Sequence, residues 1–257
     1  MNRPFSLSVV VPAYDEQERL GTSLERMTAY LRSQSNEFEI VVIDDGSSDQ
    51  TAQIAREFAQ RCSSPIRVFS NACNRGKGYS VRRGMLLCRG RYGLLSDADL
   101  STPIEELPNL QERMDRDGLA IVFGSRDTQG ALVEVRQPFW RESSGKLFNR
   151  LMRSVTGLPF SDTQCGFKLF DLQQSRILFE LQRIDGFGFD VELLYIARKR
   201  GLEVQEVPVT WRNAEGSKVG FASGLAAIRD LFTIRRNDRR GLYDSPRPVR
   251  RRIENPS

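Results

Sequence analysis

Short apolar runs alternate with amphipathic segments along the first half of the chain. Continuous β-branched runs are typical of strands that are buried on both faces of a parallel sheet. Between them, apolar residues three or four positions apart predict helices. The predicted strands of this half are 6–11, 39–43, 66–69, 93–95 and 119–123. This alternation predicts right-handed βαβ units, and therefore an α/β fold with a mostly parallel sheet and helices on both faces.

Polar clusters follow four of these predicted strands. They begin at Tyr14, Asp44, Asn74 and Asp97. In an open parallel sheet, ligands bind at the carboxyl ends of the strands, close to the point where the strand order reverses. Because all four clusters occupy such positions, we expect them to meet in one binding site at that edge of the sheet.

The second half of the chain has a different pattern, in which two apolar stripes recur at helical spacing. A predicted helix at 189–200 and a predicted strand at 203–211 lie between them. The first stripe consists of Leu147, Phe148, Leu151, Met152 and Val155, and the second of Phe221, Leu225, Ile228 and Phe232. Either stripe could pack into the core or lie on an anionic membrane surface, because arginines border both. The arginines that follow the second stripe favour a membrane contact for that segment.

The charge of the chain is concentrated near its C-terminus. The 257 residues include 38 Lys and Arg against 33 Asp and Glu, a formal net charge of +5. Residues 229–257 hold nine Arg and four acidic residues, so residues 1–228 are neutral. A neutral body with an appended basic segment does not fit a nucleic-acid-binding domain, and we expect no nucleic-acid partner. We expect the Arg- and Pro-rich residues 237–257 to form a disordered tail.

Two residue types narrow the chemistry further. The chain contains no histidine, which removes the commonest general base and metal ligand and leaves such roles to carboxylates. The four cysteines have no C-x-x-C spacing and no targeting segment is visible, so we expect reduced thiols in a cytosolic setting. No apolar run approaches the roughly 18–20 residues that span a bilayer, so an integral membrane protein is not expected.

The acidic residues Asp97 and Asp99 follow a predicted strand, with one residue between them. Alternate residues of an extended segment project to the same side, so the two carboxylates would repel unless a cation lay between them. Oxygen ligands favour a hard ion, Mg²⁺ or Mn²⁺, that shares its coordination with substrate phosphates. Paired acids also cap helices or face solvent, but the preceding strand and the neighbouring polar strand ends favour a metal site.

The other strand ends have a functional and a structural interpretation each. Asp44 could bind a nucleobase or a ribose hydroxyl, or it could close a turn with the Gly and Ser that follow. Tyr14 could cover a flat base or lie at the rim of the site. The segment 74–78 combines the backbone freedom of glycine with Lys77, which suits a phosphate, although it lacks the spacing of a P-loop.

Taken in order, these segments resemble the family 2 inverting glycosyltransferases of the GT-A fold. The motifs of the first half are SVVVPAYDE, IVVIDDGSSDQT, NRGKG, SDADLSTP and FGSR. The second half adds DTQCGFKLF, FDVELLYIA, VPVTW and EGSK, which look like the branch that glucosylates dolichyl and polyprenyl phosphates. The resemblance covers about residues 6–236. It departs at GKGYS, where the family typically has GKGGA, so Tyr79 and Ser80 are expected to alter that turn.

The resemblance implies a Rossmann-like GT-A domain over residues 1–236. Its nucleotide-sugar-binding half would span 6–125, its acceptor half 126–217, and a C-terminal amphipathic helix 218–236. The implied site residues are Pro12, Ala13, Tyr14 and Glu16 around the nucleotide, Asp44 at the uracil, Lys77 at the diphosphate, and Asp97 and Asp99 at the metal and the nucleotide-sugar. Arg126 and Arg141 would bind the acceptor phosphate, since guanidinium forks suit phosphate.

The reaction implied is the transfer of a hexose with inversion. We expect glucose to pass from UDP-glucose to a polyprenyl phosphate, with the enzyme peripheral on the cytoplasmic face of a membrane. A phosphate monoester has a second pKa near about 6, so it is already an anionic nucleophile at pH 7 and needs no base. A hydroxyl acceptor would need one, and Asp162 is then the expected base. Transfer of mannose from GDP-mannose and a nucleotide-binding module without catalysis are the alternatives.

Overall fold

A computed structural model describes residues 5–34, 37–133, 139–212 and 221–244, with the side chains of all of these except 133, 139–147 and 221–225. Its strands are β1 (Leu7–Ala13), β2 (Phe38–Asp44), β3 (Ile66–Ser70), β4 (Tyr92–Ser96), β5 (Ile121–Ser125), β6 (Leu132–Val133), β7 (Phe167–Asp171), β8 (Val204–Pro208) and β9 (Thr210–Trp211). Seven of them form one sheet in the order β3-β2-β1-β4-β7-β5-β8, and β6 pairs with β9. The five strands predicted in the first half are β1 to β5.

The sheet is mostly parallel, as the sequence predicts. The exception among its described strands is β7, which runs antiparallel to both of its neighbours, β4 and β5. The hydrophobic pattern of the sequence did not predict this strand. Chain order runs outward from β1 in both directions, since β1 pairs with β2 on one side and with β4 on the other. The strand order therefore reverses at β1 and β4, where an open sheet binds ligands.

Helices cover both faces of the sheet. They are α1 (Leu20–Ser33), α2 (Thr51–Arg61), α3 (Lys77–Leu87), α4 (Leu107–Asp117), α5 (Phe139–Thr156), α6 (Leu172–Leu181), α7 (Phe189–Lys199) and α8 (Phe221–Arg239). One apolar core packs α1, α2 and α4 against the sheet, and a second packs α3 and α5 to α8 against the opposite face. The α/β architecture with helices on both faces is therefore confirmed.

The first apolar stripe of the second half is part of the core. Met152 of α5 is fully buried, and Phe148, Leu151 and Val155 are partly buried against the same cluster. Leu147 lies among the residues whose side chains are not described. Of the two environments open to this stripe, the structure places its described part in the protein interior.

The second stripe lies on a helix whose buried face is different from the one expected. Helix α8 buries Ala227, Leu231 and Ile234, whereas Phe232 of the expected stripe is 57% exposed. The side chains of Phe221 and Leu225 are outside the described set. No helix in the part of the chain that the structure describes is long and apolar enough to cross a membrane.

The expectation of a disordered segment from residue 237 onward is wrong for its first eight residues. Helix α8 continues to Arg239, and a turn follows as far as Asp244. Within that turn Tyr243 is fully buried, and its hydroxyl donates to Glu192 at 2.7 Å. Burial of a large aromatic ring with a satisfied hydroxyl fixes the turn to the body. Residues 245–257 lie outside the described residues.

Candidate active site

The two acidic residues of the sequence motif lie at the end of β4, at the strand-order reversal. An oxygen of Asp97 lies 2.7 Å from the Lys77 ammonium. One oxygen of Asp99 lies 4.0 Å from the Arg19 guanidinium, and the other accepts a hydrogen bond from the backbone of Ser101 at 2.9 Å. Both carboxylates are partly exposed, so they are accessible to an incoming ligand or ion.

Lys77 is the first residue of α3, and residues 72–75 of the turn before it are exposed. Its ammonium is close to three acidic residues, Asp97, Asp99 and Asp190. Burial acts to lower the pKa of Lys77, but these negative charges outweigh it and raise the pKa above its ordinary value. Lys77 is therefore a fixed positive charge beside the two carboxylates, at the N-terminus of a helix, where anions are also favoured.

The segment DTQCGFKLF closes the other side of the carboxylates. Gly166 of this segment packs so tightly on Asp97 that a Cβ atom added there would overlap its carboxylate. A larger residue at this position would displace the Asp97 carboxylate, which accounts for a glycine immediately before β7. The segment that the resemblance assigns to the acceptor half therefore forms one wall of the site.

The end of β1 carries the residues expected around a nucleotide. Pro12 and Ala13 are the last residues of the strand, and Ala13 lies beside Asp44 of β2 in register. Tyr14 is 38% exposed at the rim. The Glu16 carboxylate is held by Arg19 through two hydrogen bonds of 2.6 and 2.8 Å, which link it through that guanidinium to Asp99.

Asp44 and Asp45 are both buried but have different tasks. Asp44 accepts a hydrogen bond of 3.1 Å from the backbone of Ser47, which is the turn-closing contact considered from the sequence. Asp45 accepts bonds of 3.0 and 2.8 Å from the backbone of Arg75 and Gly76. It therefore shapes the turn that presents Lys77. The sequence reasoning singled out Asp44 alone and missed this role.

A cavity of about 240 Å³ opens beside Asp99 on the side of α1. Besides Asp99, the residues that line it are Thr22, Ser23, Arg26, Leu100, Ser101 and Arg212.

A second ion pair lies beneath the site and was not expected. Lys168 of β7 and Asp190 of α7 are both buried, and their charged atoms lie 2.7 Å apart. The Lys168 ammonium also donates to the backbone carbonyl of Cys165. Burial raises the pKa of Asp190 above its ordinary value, against the opposing charges of Lys168 and Lys77. This pair ties β7 to the start of α7 directly behind Lys77.

Two of the three residues expected to act on the acceptor, Arg126 and Asp162, are bound to one another. The Arg126 guanidinium donates two hydrogen bonds to the Asp162 carboxylate, at 2.6 and 2.8 Å, and its backbone N–H donates a third at 3.1 Å. Burial acts to raise the pKa of Asp162, but Arg126 outweighs it and holds that pKa below its ordinary value. The guanidinium also lies 5.4 Å from the Trp211 ring. Arg141 belongs to α5, but its side chain is outside the described set.

The carboxylates of Asp97 and Asp99 can provide oxygen ligands for part of the coordination shell of a divalent cation. Among the described residues, no group of three or more His, Cys, Asp or Glu side chains is placed to bind one ion. Asp97 and Asp99 offer oxygen ligands of the type that Mg²⁺ and Mn²⁺ prefer, and such ions commonly complete their coordination with phosphates and water. Two partly exposed carboxylates with a lysine beside them therefore fit a metal–diphosphate group.

The chain matches known proteins in sequence over most of its length. Residues 8–173, which are more than half of the chain, match the family described as Glycosyl transferase family 2. The dolichyl-phosphate β-glucosyltransferase of Dictyostelium discoideum is 37% identical over 241 residues, covering 89% of this chain and 73% of that protein. The human protein of the same name is 34% identical, with 89% and 74% covered. The protein of the same name from Saccharomyces cerevisiae is 31% identical, covering 92% of this chain and 76% of that protein.

Solved structures match the whole architecture. Glucosyl-3-phosphoglycerate synthase from Mycobacterium tuberculosis, in complex with Mn²⁺ and UDP-glucose, matches with a TM-score of 0.66 at 19% identity, over 92% of this chain and 79% of that one. Mannosyl-3-phosphoglycerate synthase from Rubrobacter xylanophilus matches with a TM-score of 0.68 at 18% identity, over 98% of this chain and 79% of that one. The expected GT-A fold is confirmed. Together with the family match and the named relatives, it establishes that this chain belongs to glycosyl transferase family 2 and is a glycosyltransferase.

Proposed function

We propose that this enzyme transfers glucose from UDP-glucose to a dolichyl or other polyprenyl phosphate, with inversion at the anomeric carbon. One observation carries the proposal: relatives named dolichyl-phosphate β-glucosyltransferase match 89–92% of the chain at 31–38% identity. The site supports it independently, because a lysine and two carboxylates at the strand-order reversal suit a nucleoside diphosphate donor. Mannose from GDP-mannose is the competing donor.

The donor site is assembled from residues of four strand ends. The uridine would lie between Tyr14 and Asp44, and the diphosphate between Lys77 and the Asp97–Asp99 pair. When bound there, Mg²⁺ or Mn²⁺ would neutralise the charge that grows on the leaving diphosphate. Lys77 would contribute to the same stabilisation by turning its ammonium from Asp97 toward the phosphate oxygens.

A phosphate suits the acceptor position better than a hydroxyl for a reason of charge. A hydroxyl acceptor needs a base, and Asp162 is a poor one because Arg126 occupies both of its oxygens and holds its pKa low. A lipid phosphate is ionised near neutral pH and attacks without a base. Arg126 remains positively charged beside Trp211 and would orient that phosphate while Asp162 fixes its guanidinium.

A lipid-linked acceptor requires the enzyme to touch a membrane, and α8 offers a suitable surface. Phe232 is exposed there, with Arg229 and Arg236 exposed one turn before and after it. An exposed aromatic side chain bordered by arginines favours the interface of an anionic membrane. We propose that this face of α8 holds the enzyme peripherally on the cytoplasmic leaflet.

The test is a panel of nucleotide-sugars with a short-chain polyprenyl phosphate and Mg²⁺ or Mn²⁺, scored for lipid-linked sugar. UDP-glucose should give the fastest turnover, and a chelator should abolish it. Faster turnover with GDP-mannose would show that the proposed donor is wrong. Turnover only with an acceptor alcohol would show that the proposed acceptor is wrong, and Asp162 would then again be the candidate base.

Membrane contact is tested separately by co-sedimentation with vesicles of anionic and zwitterionic phospholipid. Phe232→Ser should reduce the fraction bound to anionic vesicles. Leu132→Ser is the matched control, since Leu132 is an exposed apolar residue of β6, which pairs with β9. Equal loss in both variants, or no loss in Phe232→Ser, would remove α8 from the membrane proposal without affecting the reaction.

A further inference from the structure

The turn that presents Lys77 is held on two sides. On one side, the Asp45 carboxylate binds the backbone N–H groups of Arg75 and Gly76. On the other side lies a loop between α6 and α7, residues 182–188, which we call the strap. The strap belongs to none of the sequence motifs to which chemistry was assigned above.

Contacts between the strap and the turn are close and directional. The backbone N–H of Tyr79 donates to the carbonyl of Asp185 at 3.0 Å, and the Gln182 amide donates to the carbonyl of Gly78 at 2.8 Å. A Cβ atom at Gly78 would lie 2.7 Å from the carbonyl oxygen of Ile184, and one at Gly76 would overlap that of Asp185. The strap therefore packs closely against the backbone of the turn that carries Lys77.

Side chains reinforce the same contact. Tyr79 and Ser80 depart from the usual glycine and alanine of the motif, and the Tyr79 ring lies under two guanidinium groups, with Arg75 at 4.3 Å and Arg82 at 5.1 Å. Arg82 lies 3.3 Å from the Asp185 carboxylate of the strap. The Tyr79 ring and Arg82 thus link α3 to the strap.

The far side of the strap is held by a buried carboxylate. Glu192 of α7 accepts the backbone N–H groups of Arg183 at 3.0 Å and Ile184 at 2.8 Å. The Tyr243 hydroxyl donates to the same carboxylate at 2.7 Å, and the Arg183 guanidinium donates to the carbonyl of Leu242 at 3.0 Å. The turn after α8 thus reaches the strap through one buried acid.

We propose that Glu192 and Tyr243 are positioning residues for donor binding, which hold the strap against the turn and so fix Lys77 at the diphosphate. The inference rests on the proposed role of Lys77. It gives the C-terminal turn a function in nucleotide binding, at a distance from any group that contacts the donor. Because positional errors of even a fraction of an ångström weaken a charged contact, loosening the strap should act on donor affinity first.

The experiment measures the affinity of the full chain for UDP in the presence of Mn²⁺ by calorimetry, together with KM and kcat for UDP-glucose. Tyr243→Phe removes one hydroxyl and keeps the ring, and Glu192→Gln keeps the shape of the side chain. Each should weaken UDP binding by about threefold to tenfold. Each should also lower kcat/KM for UDP-glucose by at least the same factor, because Lys77 would also stabilise the charge on the leaving diphosphate. Glu192→Gln should have the larger effect, since it alters three hydrogen bonds.

The matched control is Tyr195→Phe. The Tyr195 hydroxyl donates to Asp238 at 2.6 Å, so it also joins α7 to α8 through a carboxylate, but Asp238 holds no strap amide in the described contacts. This variant should bind UDP like the wild type. Equal weakening in Tyr195→Phe and Tyr243→Phe would overturn the inference, because the effect would then be general destabilisation. Unchanged UDP affinity in folded Tyr243→Phe and Glu192→Gln would overturn it as well.

A measurement without any variant tests the same coupling. Because coupling between two sites is reciprocal, UDP with Mn²⁺ should slow hydrogen exchange at the Arg183 and Ile184 amides of the wild type. Unchanged exchange at these amides, with UDP demonstrably bound, would contradict the inference and leave the proposed function intact. If the wild type binds neither UDP nor UDP-glucose, the proposed donor is wrong and the inference falls with it.

Discussion

Two aspartates of this enzyme each have one cation within about 3 Å, yet their surroundings differ. Asp97 is 31% exposed and meets a single ammonium, that of Lys77, at 2.7 Å. Asp162 is 2% exposed, and Arg126 binds it through two side-chain hydrogen bonds and one from the backbone. The Lys77–Asp97 pair is open, meaning that its carboxylate is partly exposed, and it is held by one contact. The Arg126–Asp162 pair is closed, meaning that its carboxylate is buried, and it is held by three.

The difference separates a ligand site from a structural support. An ammonium is a compact charge on a flexible stem, so the side chain of Lys77 can turn from Asp97 toward a phosphate while its backbone stays in place. A guanidinium fork fixes a carboxylate in position and orientation, and here it also depresses the pKa of Asp162. The difference supports the proposal that the Asp97 region binds the donor and the metal, and that Asp162 orients the acceptor arginine.

The sharpest test of this contrast is removal of the open carboxylates. Asp97→Ala and Asp99→Ala should each lower kcat/KM for UDP-glucose by about 1,000-fold or more, because the charge on the leaving diphosphate loses its compensation. Steady-state assays across a range of Mn²⁺ concentrations measure the effect. Asp117→Ala is the control, since Asp117 pairs with Arg116 at the surface, and it should keep full activity. An active Asp99→Ala variant that needs no metal would refute the assignment.

The free energy of unfolding should depend more on Asp162 than on Asp97, the reverse of the expected effect on donor turnover. Asp162→Asn leaves Arg126 with an unpaired charge and should lower the free energy of unfolding by about 2–3 kcal/mol, less than for a fully buried pair because the Arg126 side chain is 29% exposed. Asp97→Asn should change it by less than about 1 kcal/mol, since that pair is solvated. Denaturant unfolding of both variants compares them. Equal losses would mean that the two pairs do not differ in the way the structure indicates.

Replacing Lys77 should have an intermediate effect. Lys77→Gln should weaken UDP binding by about 10-fold to 30-fold, as one charge-assisted contact to the diphosphate is lost. The change should be much smaller for uridine, which has no phosphate, and calorimetry with both ligands separates the two. A loss of equal size for uridine would show that the variant disturbs the whole pocket.

The sequence predicts the open region better than the closed one. Apolar runs followed by polar clusters are local signals, and they suffice to place Asp97, Lys77 and Ala13 at one edge of the sheet. The pairing of Arg126 with Asp162 joins residues 36 positions apart, for which periodicity holds no information. From sequence, these two residues accordingly received separate roles.

Buried polar residues explain the other misses. Strand β7 was overlooked because Lys168 interrupts its apolar run, and its partner Asp190 lies on a different element. On α8, Asp230 and Asn237 lie on the buried face beside Leu231 and Ile234, so the apolar stripe visible in the sequence points elsewhere. Hydrophobic patterning finds faces that are apolar throughout, and it fails where a buried face carries satisfied polar groups.

Glu192 extends the comparison to a buried carboxylate whose hydrogen-bond donors are neutral groups. Burial raises its pKa to about 7, although these donors oppose the shift. Between about pH 4.5 and 7 the folded chain keeps a proton that the unfolded chain has lost, so this group makes the free energy of unfolding fall as the pH rises, by at most about 1.4 kcal/mol per pH unit. Above pH 7 its contribution is constant.

Glu192→Gln should remove this slope. Denaturant unfolding of the wild type and the variant at pH 5, 6, 7 and 8 measures the difference between their free energies of unfolding, and the contributions of other titrating groups cancel in that difference. A constant difference across that range would mean that Glu192 is already ionised at pH 5, and that its three hydrogen bonds compensate burial as fully as Arg126 does for Asp162.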